Sequence, residues 1–258
     1  MTIRVGVVGA GGRMGRAVCA AVAADPALHL VAAVDPRAAG APWDDAGGLV
    51  VAAELRELAD AGVEVAVDFT VAAASRVTLA WLAMHGVHAV VGTTGFDADD
   101  LESFRRAFTG SNCLIASNFA ISAVLMMRFA ELAAPWFDTA EIIELHHDAK
   151  VEAPSGTAMA TAERMAAASS EWSPDPTVHE LCAGARGGLG PAGIRVHSVR
   201  MRGMVAHQEV ILGAQGQTLT LRQDSYDRAG YLPGVVLACT RIGDHPGLTV
   251  GLDSFLGV

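Results

Sequence analysis

The sequence predicts an α/β protein, and three observations support that class. Short apolar runs alternate with Ala- and Leu-rich helical segments through the first half of the chain. A glycine-rich turn joins the first apolar run, Ile3 to Val8, to the first helical segment, about Arg16 to Ala24. After residue 193 the chain changes to segments in which apolar and polar residues alternate. These patterns predict a parallel-sheet domain followed by an α+β region whose sheet is mixed or antiparallel.

The composition is that of a compact, acidic protein. Its 258 residues are 52% hydrophobic and 18% charged, so disorder is excluded and one large domain or two modest ones can form. The formal net charge of -10 argues against a nucleic-acid surface. No apolar stretch approaches the ~18 residues of a membrane span, and no leader precedes Ile3. We therefore expect a cytoplasmic protein without nucleic-acid or membrane partners.

The cysteines show no pattern of metal ligands or paired thiols. They are scattered along the chain at Cys19, Cys113, Cys182 and Cys239. Spacing of this kind is typical of reduced thiols in a cytoplasm, and we expect no metal site.

The turn after the first strand has the composition of a dinucleotide-binding loop. It comprises Gly9, Ala10, Gly11, Gly12, Arg13, Met14 and Gly15. Glycines permit a tight turn and a close approach of the backbone to a pyrophosphate, and the following helix offers unpaired N–H groups. The order strand, glycine turn, helix, strand therefore predicts a Rossmann-type domain that binds NADH, NADPH or both.

The cofactor preference depends on two charged residues after the second strand, Leu28 to Val34. Asp35 stands where a carboxylate would accept hydrogen bonds from the adenosine ribose. Such a carboxylate favours NADH, whereas Arg37 is able to pair with the 2′-phosphate of NADPH. Because Arg37 is equally well explained as a solvated loop residue, we expect dual use with NADH at least tolerated.

The α/β alternation continues to about residue 116. We predict helices over 54–61, 72–85 and 97–108, and strands over 63–69, 87–91 and 113–116. Ligands of open parallel sheets bind beyond the carboxyl ends of the strands. The predicted nicotinamide contacts are therefore Phe69, Gly92, Thr93, Thr94, Ala116, Ser117, Asn118 and Phe119. Gly92 to Gly95 is also explained as a simple turn, and Phe119 as a core aromatic.

The second region contains a dense group of reactive side chains. A helix over 119–135 and a strand over 140–145 lead to His146, His147 and Lys150, and Pro154, Ser155 and Thr157 mark the start of a helix over 158–168. A helix N-terminus favours a bound carboxylate or phosphate, and the upstream side chains supply charge and protons. The alternative is a surface histidine pair before an ordinary capped helix.

The remaining elements complete the α+β region and return to a helix. We predict a flexible loop or lid over 183–193, antiparallel strands over 193–202, 206–213 and 217–223, a buried helix over 233–243 and a strand over 248–252. His197 and His207 fall within these strands as structural residues, although His207 is also a candidate neighbour of the site.

Taken together, these motifs resemble the dihydrodipicolinate reductase family of lysine and diaminopimelate biosynthesis, and the resemblance covers essentially the whole chain. It rests on Gly9 to Gly15, Val67 to Thr70, Gly92 to Gly95, Ala116 to Phe119 and, above all, Glu144 to Ala158. Residues 205–210 and 224–225 are most similar to the actinobacterial branch. The resemblance implies reduction of 4-hydroxy-tetrahydrodipicolinate, a cyclic dicarboxylate, by NADH or NADPH.

Further roles are implied by the resemblance alone. His146 and Lys150 would be the catalytic proton-transfer residues, and His147, Lys150, Ser155, Gly156 and Thr157 would bind the substrate. Residues 1–118 and 227–258 would form the dinucleotide-binding domain, and residues 119–226 the substrate domain, with hinges near Asn118 and Ser225. The second sheet would build a homotetramer. Arg228 matches a position of the family pattern whose role stays open, with a hinge salt bridge as one alternative.

Two other functions are compatible with the glycine loop. A different NAD(P)-linked oxidoreductase on the same scaffold would be expected to lack the pairing of His146 and Lys150 with Ser155 to Thr157. A non-catalytic nucleotide sensor would have no need of His146 and Lys150 together. Turnover of the dicarboxylate separates the three.

Overall fold

The computed structural model describes residues 2–43 and 48–258 and has two compact units. The first unit comprises Met1–Phe119 and Tyr231–Gly257, and the second comprises Ala120–Gly230. The boundaries expected from the sequence, 118/119 and 226/227, fall close to these. The second unit is thus inserted between two parts of the first.

The first unit is built on a six-stranded parallel sheet, as the uninterrupted apolar runs predict. Its strand order is β11-β5-β4-β3-β1-β2, and the order reverses on either side of β1. The strands are β1 (Ile3–Val8), β2 (Leu28–Val34), β3 (Val65–Asp68), β4 (His88–Val91), β5 (Cys113–Ile115) and β11 (Leu248–Val250). Their side chains are largely buried on both faces, which explains why the sequence shows no alternation here.

Helices connect these strands. They are α1 (Arg13–Ala24), α2 (Arg56–Asp60), α3 (Ala72–Met84), α4 (Ala98–Ala107), α7 (Leu232–Arg241) and α8 (Asp253–Leu256). The C-terminal segment rejoins the unit through α7, which packs on α1, and through β11, which pairs with β5.

The second unit is a five-stranded mixed sheet packed against two helices. Its strand order is β10-β9-β6-β8-β7, and α6 packs on β6 and on α5. The elements are α5 (Ile121–Ala133), β6 (Thr139–His146), α6 (Gly156–Ala168), β7 (Gly188–Leu189), β8 (Arg195–Arg200), β9 (Ala206–Ala214) and β10 (Gln217–Ser225).

Two parts of the second unit differ from the sequence prediction. The strand β8 runs parallel to β6, not antiparallel, because the long excursion through α6 brings the chain back in the same direction. The predicted flexible loop over 183–193 contains β7 and a 3₁₀ turn, Pro191–Gly193. Gly187 turns the chain there with φ +66°, where an added Cβ would meet the carbonyl oxygen of Val196 at 2.7 Å.

Several helix and strand ends also differ from the predictions. The helix α1 begins at Arg13, because the last glycines of the loop already belong to its cap and first turn. The helix α6 begins at Gly156, with Ser155 as its N-cap, and β6 extends to His146. His146 is therefore the last residue of a strand and not part of a free loop.

Candidate active site

The first group of predicted site residues surrounds Glu144, a fully buried carboxylate on β6. Arg200, the last residue of β8, donates from Nη1 to Glu144 Oε2 and from Nη2 to Oε1, both at 2.8 Å. His146 Nδ1 lies 2.5 Å from Glu144 Oε2. Glu144, His146 and Arg200 are called the Glu144 cluster below. They form one hydrogen-bonded unit at the carboxyl end of β6.

The two acid–base members of the Glu144 cluster both have lowered pKa values, for different reasons. Burial alone would raise the pKa of Glu144, but hydrogen bonds from Arg200, Ser198 and His146 outweigh it, and the pKa lies below 4.5. Burial lowers the pKa of His146 below 6.5, and the nearby Glu144 only partly opposes this. At neutral pH the cluster therefore holds an ionised Glu144 beside a mainly neutral imidazole.

The start of α6 is tied to the same carboxylate. Ser155 caps the helix, since its Oγ accepts a hydrogen bond from Ala158 N at 3.1 Å. The backbone N–H of Ser155 donates to Glu144 Oε1 at 3.2 Å, and the residue is 3% exposed. Both groups of Ser155 thus have structural partners. The start of a helix of this kind favours an anion, because its first N–H groups point along the axis toward that end. Gly156 is exposed, and an added Cβ there would meet nothing within 4 Å.

The turn between β6 and α6 holds the other cations. Lys150 N donates to His147 O at 3.2 Å, which closes the turn, and the His147 side chain is exposed. Lys150 Nζ donates to Glu152 Oε2 at 3.3 Å. The positive charge of Lys150 is close enough to contribute to the lowered pKa of His146. His146, Lys150 and the first turn of α6 are thus neighbours at one end of the second sheet.

His207 lies on the opposite face of that sheet. It pairs with Leu145 in the register of β6 and β9, whereas Gln208 pairs with Glu144 and donates to Thr161 of α6. Paired residues share a face, so His207 points away from the Glu144 cluster. Its Nδ1 hydrogen-bonds Asp224 Oδ1 at 2.7 Å. Its hydrogen bonds are structural, and its side chain lies on the other face of the sheet from the Glu144 cluster.

The glycine loop of the first unit fits a bound dinucleotide. A Cβ on Gly15 would lie 2.0 Å from Gly9 O, and a Cβ on Gly11 would lie 2.6 Å from the Cβ of Ala38 and 2.8 Å from Asp35 Oδ2. Gly9 has φ +80°. Side chains at Gly15 and Gly11 would collide with the backbone of the loop and with Ala38 and Asp35, so these glycines permit the tight loop that a Rossmann pyrophosphate site requires. The helix α1 has no side-chain cap hydrogen bond, and Gly12 and Arg13 at its start are exposed.

Asp35 lies beside this loop. Its Oδ2 accepts from Gly11 N at 3.0 Å and its Oδ1 from Arg37 N at 2.9 Å. Each carboxylate oxygen has a second lone pair, so both can still accept from ribose hydroxyls. Arg37 is exposed two residues further along.

The other predicted cofactor contacts divide into exposed and packed residues. Thr94 and Ser117 are exposed. The buried or half-buried ones are Ala10 and Met14 in the glycine loop and Gly92, Ala116 and Asn118 at the strand ends. Phe119 is 2% exposed and packs against Phe69, with ring centroids 5.8 Å apart. Phe119 is therefore a core aromatic in this structure. A Cβ on Gly92 would clash with the Phe69 ring at 2.1 Å, so that glycine makes room for the aromatic.

Asp68 connects two of the strand-end turns. Its Oδ1 accepts from Thr70 Oγ1 at 2.7 Å, from Thr70 N at 2.9 Å and from Thr93 Oγ1 at 2.8 Å. Burial raises the pKa of Asp68, and the hydroxyl donors oppose that shift. Thr93, predicted to contact the cofactor, is 3% exposed and thus acts through this network.

Sequence reasoning assigned no role to Glu144 or Arg200. A signal was present for Glu144, because it occupies an inward position between Ile142 and His146 on an alternating strand. A charged residue at such a position needs a buried partner. Nothing in the local sequence identifies that partner as Arg200, which lies 56 residues further along the chain.

Comparison with known proteins identifies the family. The chain matches the model "Dihydrodipicolinate reductase, N-terminus" over residues 3–119 and the model "Dihydrodipicolinate reductase, C-terminus" over residues 122–256. This chain belongs to the dihydrodipicolinate reductase family. The family's two models meet near Phe119, where the first compact unit of the structure is interrupted.

Individual relatives agree over their full lengths. The chain is 50% identical to the 4-hydroxy-tetrahydrodipicolinate reductase of Corynebacterium aurimucosum, covering 100% of both chains. It is 51% identical to the enzyme of the same name from Nocardia farcinica, covering 99% of each. Among solved structures, the dipicolinate-bound dihydrodipicolinate reductase of Paenisporosarcina sp. TG-14 superposes with a TM-score of 0.89. That protein is 36% identical, and the match covers 98% of this chain and 99% of the other.

None of the helices within residues 2–43 and 48–258 combines the length and apolar character that crossing a bilayer requires. Nor do these residues contain a cluster of three His, Cys, Asp or Glu side chains arranged to hold a metal ion.

Proposed function

We propose that this chain reduces 4-hydroxy-tetrahydrodipicolinate, by way of dihydrodipicolinate, to tetrahydrodipicolinate in diaminopimelate and lysine biosynthesis. The observation that carries the proposal is the pairing of His146 and Lys150 with the start of α6, where Gly156 is exposed, in a chain whose other unit carries the glycine loop. Family membership over essentially the whole chain supports it.

The dinucleotide would be held by the first unit. The loop from Gly9 to Gly15 and the start of α1 would bind the pyrophosphate, and Asp35 would accept from the adenosine ribose. Thr94 and Ser117 are exposed at strand ends where the nicotinamide half would lie. When bound in its reduced form, NADH or NADPH supplies the hydride.

The dicarboxylate would be held by the second unit. Gly156 and Thr157 at the start of α6 would bind one carboxylate, which the helix dipole favours there, while Ser155 keeps that turn in place as its cap. His147 and Lys150 add donors for the rest of the ring. This assignment gives Ser155 a supporting role in place of the direct contact expected from the sequence.

Proton transfer would use Lys150 and His146. Reduction of the conjugated C=N–C=C system at the ring carbon distal to nitrogen leaves an enamine, which must be protonated. Because its pKa is lowered, His146 is mainly neutral at pH 7, whereas Lys150 presents an ammonium group with three N–H donors. We therefore propose Lys150 as the proton donor and the Nε2 of neutral His146 as the acceptor that orients it.

The test is turnover with freshly prepared substrate. Pyruvate and aspartate semialdehyde are condensed by the preceding enzyme, and oxidation of NADH and of NADPH is followed by absorbance. We expect substrate-dependent oxidation of at least one cofactor. Absence of oxidation with both would refute the proposed function. The homotetramer and the cytoplasmic location stay predictions, and light scattering against the 26.6 kDa subunit mass tests the first.

The role of Asp35 has its own test. Replacing Asp35 by Ala removes the acceptor for the ribose hydroxyls and the charge that repels a 2′-phosphate, so NADH should bind less tightly and NADPH relatively better. Titration of both cofactors by fluorescence measures the two dissociation constants. An unchanged ratio of the constants would show that Asp35 does not contact the adenosine ribose. Arg37→Ala is the matched variant, and it should weaken NADPH binding only.

A further inference from the structure

We infer that Glu144, clamped by Arg200, is a positioning residue that fixes the tautomer of His146 and links its imidazole to the anion-binding turn of α6. The kinetic part of this inference rests on the function proposed above. The structural part concerns the second unit alone.

The connections of Glu144 exceed what a structural ion pair requires. Arg200 already satisfies both carboxylate oxygens through a two-pronged contact at 2.8 Å. The carboxylate also accepts a hydrogen bond at Oε2 from His146, one at Oε1 from Ser155 N, and one from the Ser198 side chain. The first two of these partners are the proposed proton-transfer residue and the cap of the helix proposed to bind substrate. One buried carboxylate thus holds both.

The contact with Glu144 selects one tautomer of His146. An ionised carboxylate can only accept, so the imidazole must carry its hydrogen on Nδ1. The neutral ring then has its lone pair on Nε2, which is the nitrogen left for the reaction. Without the carboxylate both tautomers would be populated, and part of the protein would present an N–H where an acceptor is needed.

The same carboxylate fixes a distance. His146 is the last residue of β6, and Ser155 is the N-cap of α6. The turn between them contains exposed residues such as Asp148 and Val151. A turn of this kind would let the imidazole and the helix start move independently. The His146 imidazole and the Ser155 N–H both hydrogen-bond to Glu144, which Arg200 anchors to β8. The distance between the imidazole and the start of α6 is therefore kept even when the turn moves. Preserved spacing is what orientation of a bound substrate requires.

The charged groups that face His146 come from each element around it. Glu144 lies on the same strand, Arg200 on the neighbouring strand β8, and Lys150 in the following turn. Glu144 raises the pKa of His146, while Lys150 and Arg200 lower it. Removal of the glutamate charge leaves only the two cations, so His146 should then titrate at a lower pH than in the wild type.

The chain offers a matched control on the same strand. Glu141 also bridges an arginine and a histidine, because its Oε1 accepts from Arg186 Nη2 and its Oε2 lies 2.6 Å from His197 Nε2. These three residues are called the Glu141 cluster. Glu141→Gln removes the same kind of bridge at the other end of β6, on the opposite face, and has no connection to His146 or Ser155.

The experiment compares wild type, Glu144→Gln, Arg200→Lys and Glu141→Gln. The ¹⁵N chemical shifts of the His146 ring, assigned by their loss in His146→Gln, report tautomer and titration. The pH dependence of kcat/KM reports the kinetic role. For Glu144→Gln we expect mixed tautomers, a lower titration midpoint, and kcat/KM reduced about ten- to a hundredfold, as for partners that orient ligands in other sites. Glu141→Gln should match the wild type in the shifts and in the shape of the pH profile.

Several outcomes decide the inference. Wild-type protein with the hydrogen on Nε2 of His146 at pH 7.5 overturns it, and this measurement needs no variant to fold. A folded Glu144→Gln with wild-type shifts and kcat/KM overturns it as well. If Glu144→Gln does not fold, Arg200→Lys keeps the Glu144 charge and should retain the tautomer while losing kcat/KM severalfold; an unchanged kcat/KM would refute the clamping role. Absence of turnover in the wild type would refute the proposed function, and the ring shifts would still test the positioning.

Discussion

Two glutamates on one strand make the same kind of bridge, and the differences between them show what converts an ion pair into part of a reactive site. The Glu144 and Glu141 clusters each contain a glutamate, an arginine and a histidine. The Glu144 side chain is 0% exposed and adjoins a helix N-terminus, whereas that of Glu141 is 31% exposed and lines a cavity of about 310 Å³. Burial and the neighbouring helix start, and not residue type, distinguish the two.

The largest expected difference between the clusters is in stability. Glu144→Ala leaves the Arg200 guanidinium without its buried partner, and breaking a buried pair in this way costs about 3 to 5 kcal/mol. Glu141→Ala opens a partly exposed pair, for which about 0 to 1 kcal/mol is expected. Urea denaturation of both variants measures the change in free energy of unfolding. Equal losses would show that burial does not separate the two clusters.

The next difference is in catalysis. His146→Ala and Lys150→Ala should each lose at least about 2 to 3 kcal/mol of transition-state stabilisation, the scale of a removed proton-transfer group. Cofactor affinity should change little, because the dinucleotide would bind the other unit. His197→Ala removes the histidine of the Glu141 cluster and should keep wild-type kcat/KM. If His146→Ala and Lys150→Ala both retained wild-type kcat/KM, neither side chain would take part in proton transfer.

The smallest expected difference is in the pH dependence of stability. The folded pKa of His146 lies below 6.5 and that of Glu144 below 4.5, so in both ranges the unfolded state binds more protons than the folded state. Stability therefore falls as pH is lowered, first below 6.5 through His146 and then below 4.5 through Glu144. His146→Gln should remove the first part of this loss.

The control for this measurement is His197→Gln, which leaves His146 intact and should keep the part of the stability loss that His146 contributes on acidification. His88, whose pKa burial also lowers, contributes in the same direction to every variant. Thermal unfolding between pH 7.5 and 5 compares the slopes. A His146→Gln slope equal to that of the wild type would show that His146 is not held in its neutral form.

The sequence predicted the first unit well because its signals are local. An apolar run, a glycine turn and an Ala-rich helix each fit within one window, and the repeat of that pattern implies a parallel sheet. Residues 3 to 35 are the clearest case. Only the ends of helices and strands were misplaced. The start of α1, for example, was predicted at about Arg16 instead of Arg13, because the glycines at its cap and first turn are also typical of a loop.

The second unit was predicted less well because its structure depends on distant pairings. The alternation of apolar and polar residues along β8 would be the same in a parallel and in an antiparallel strand. It therefore does not predict the direction of β8 relative to β6. The partner of Glu144 is likewise set by the register that aligns Glu144 with Ser198 and His146 with Arg200. The reactive side chains could be found from the motif, but the residues that hold them could not.

The return of the chain to the first sheet affects how the protein is made. The strand β5 ends at Ile115, and its neighbour β11 begins at Leu248. On a ribosome that adds ~5 to 20 residues per second, β5 stays an open sheet edge for roughly ten seconds while the whole second unit is synthesised. The Asn112 side chain lacks its hydrogen-bond partners, Ile242 O and Gly247 N, for about the same time. An open edge pairs readily with other strands, so the nascent chain is most exposed to aggregation while its second unit is being completed.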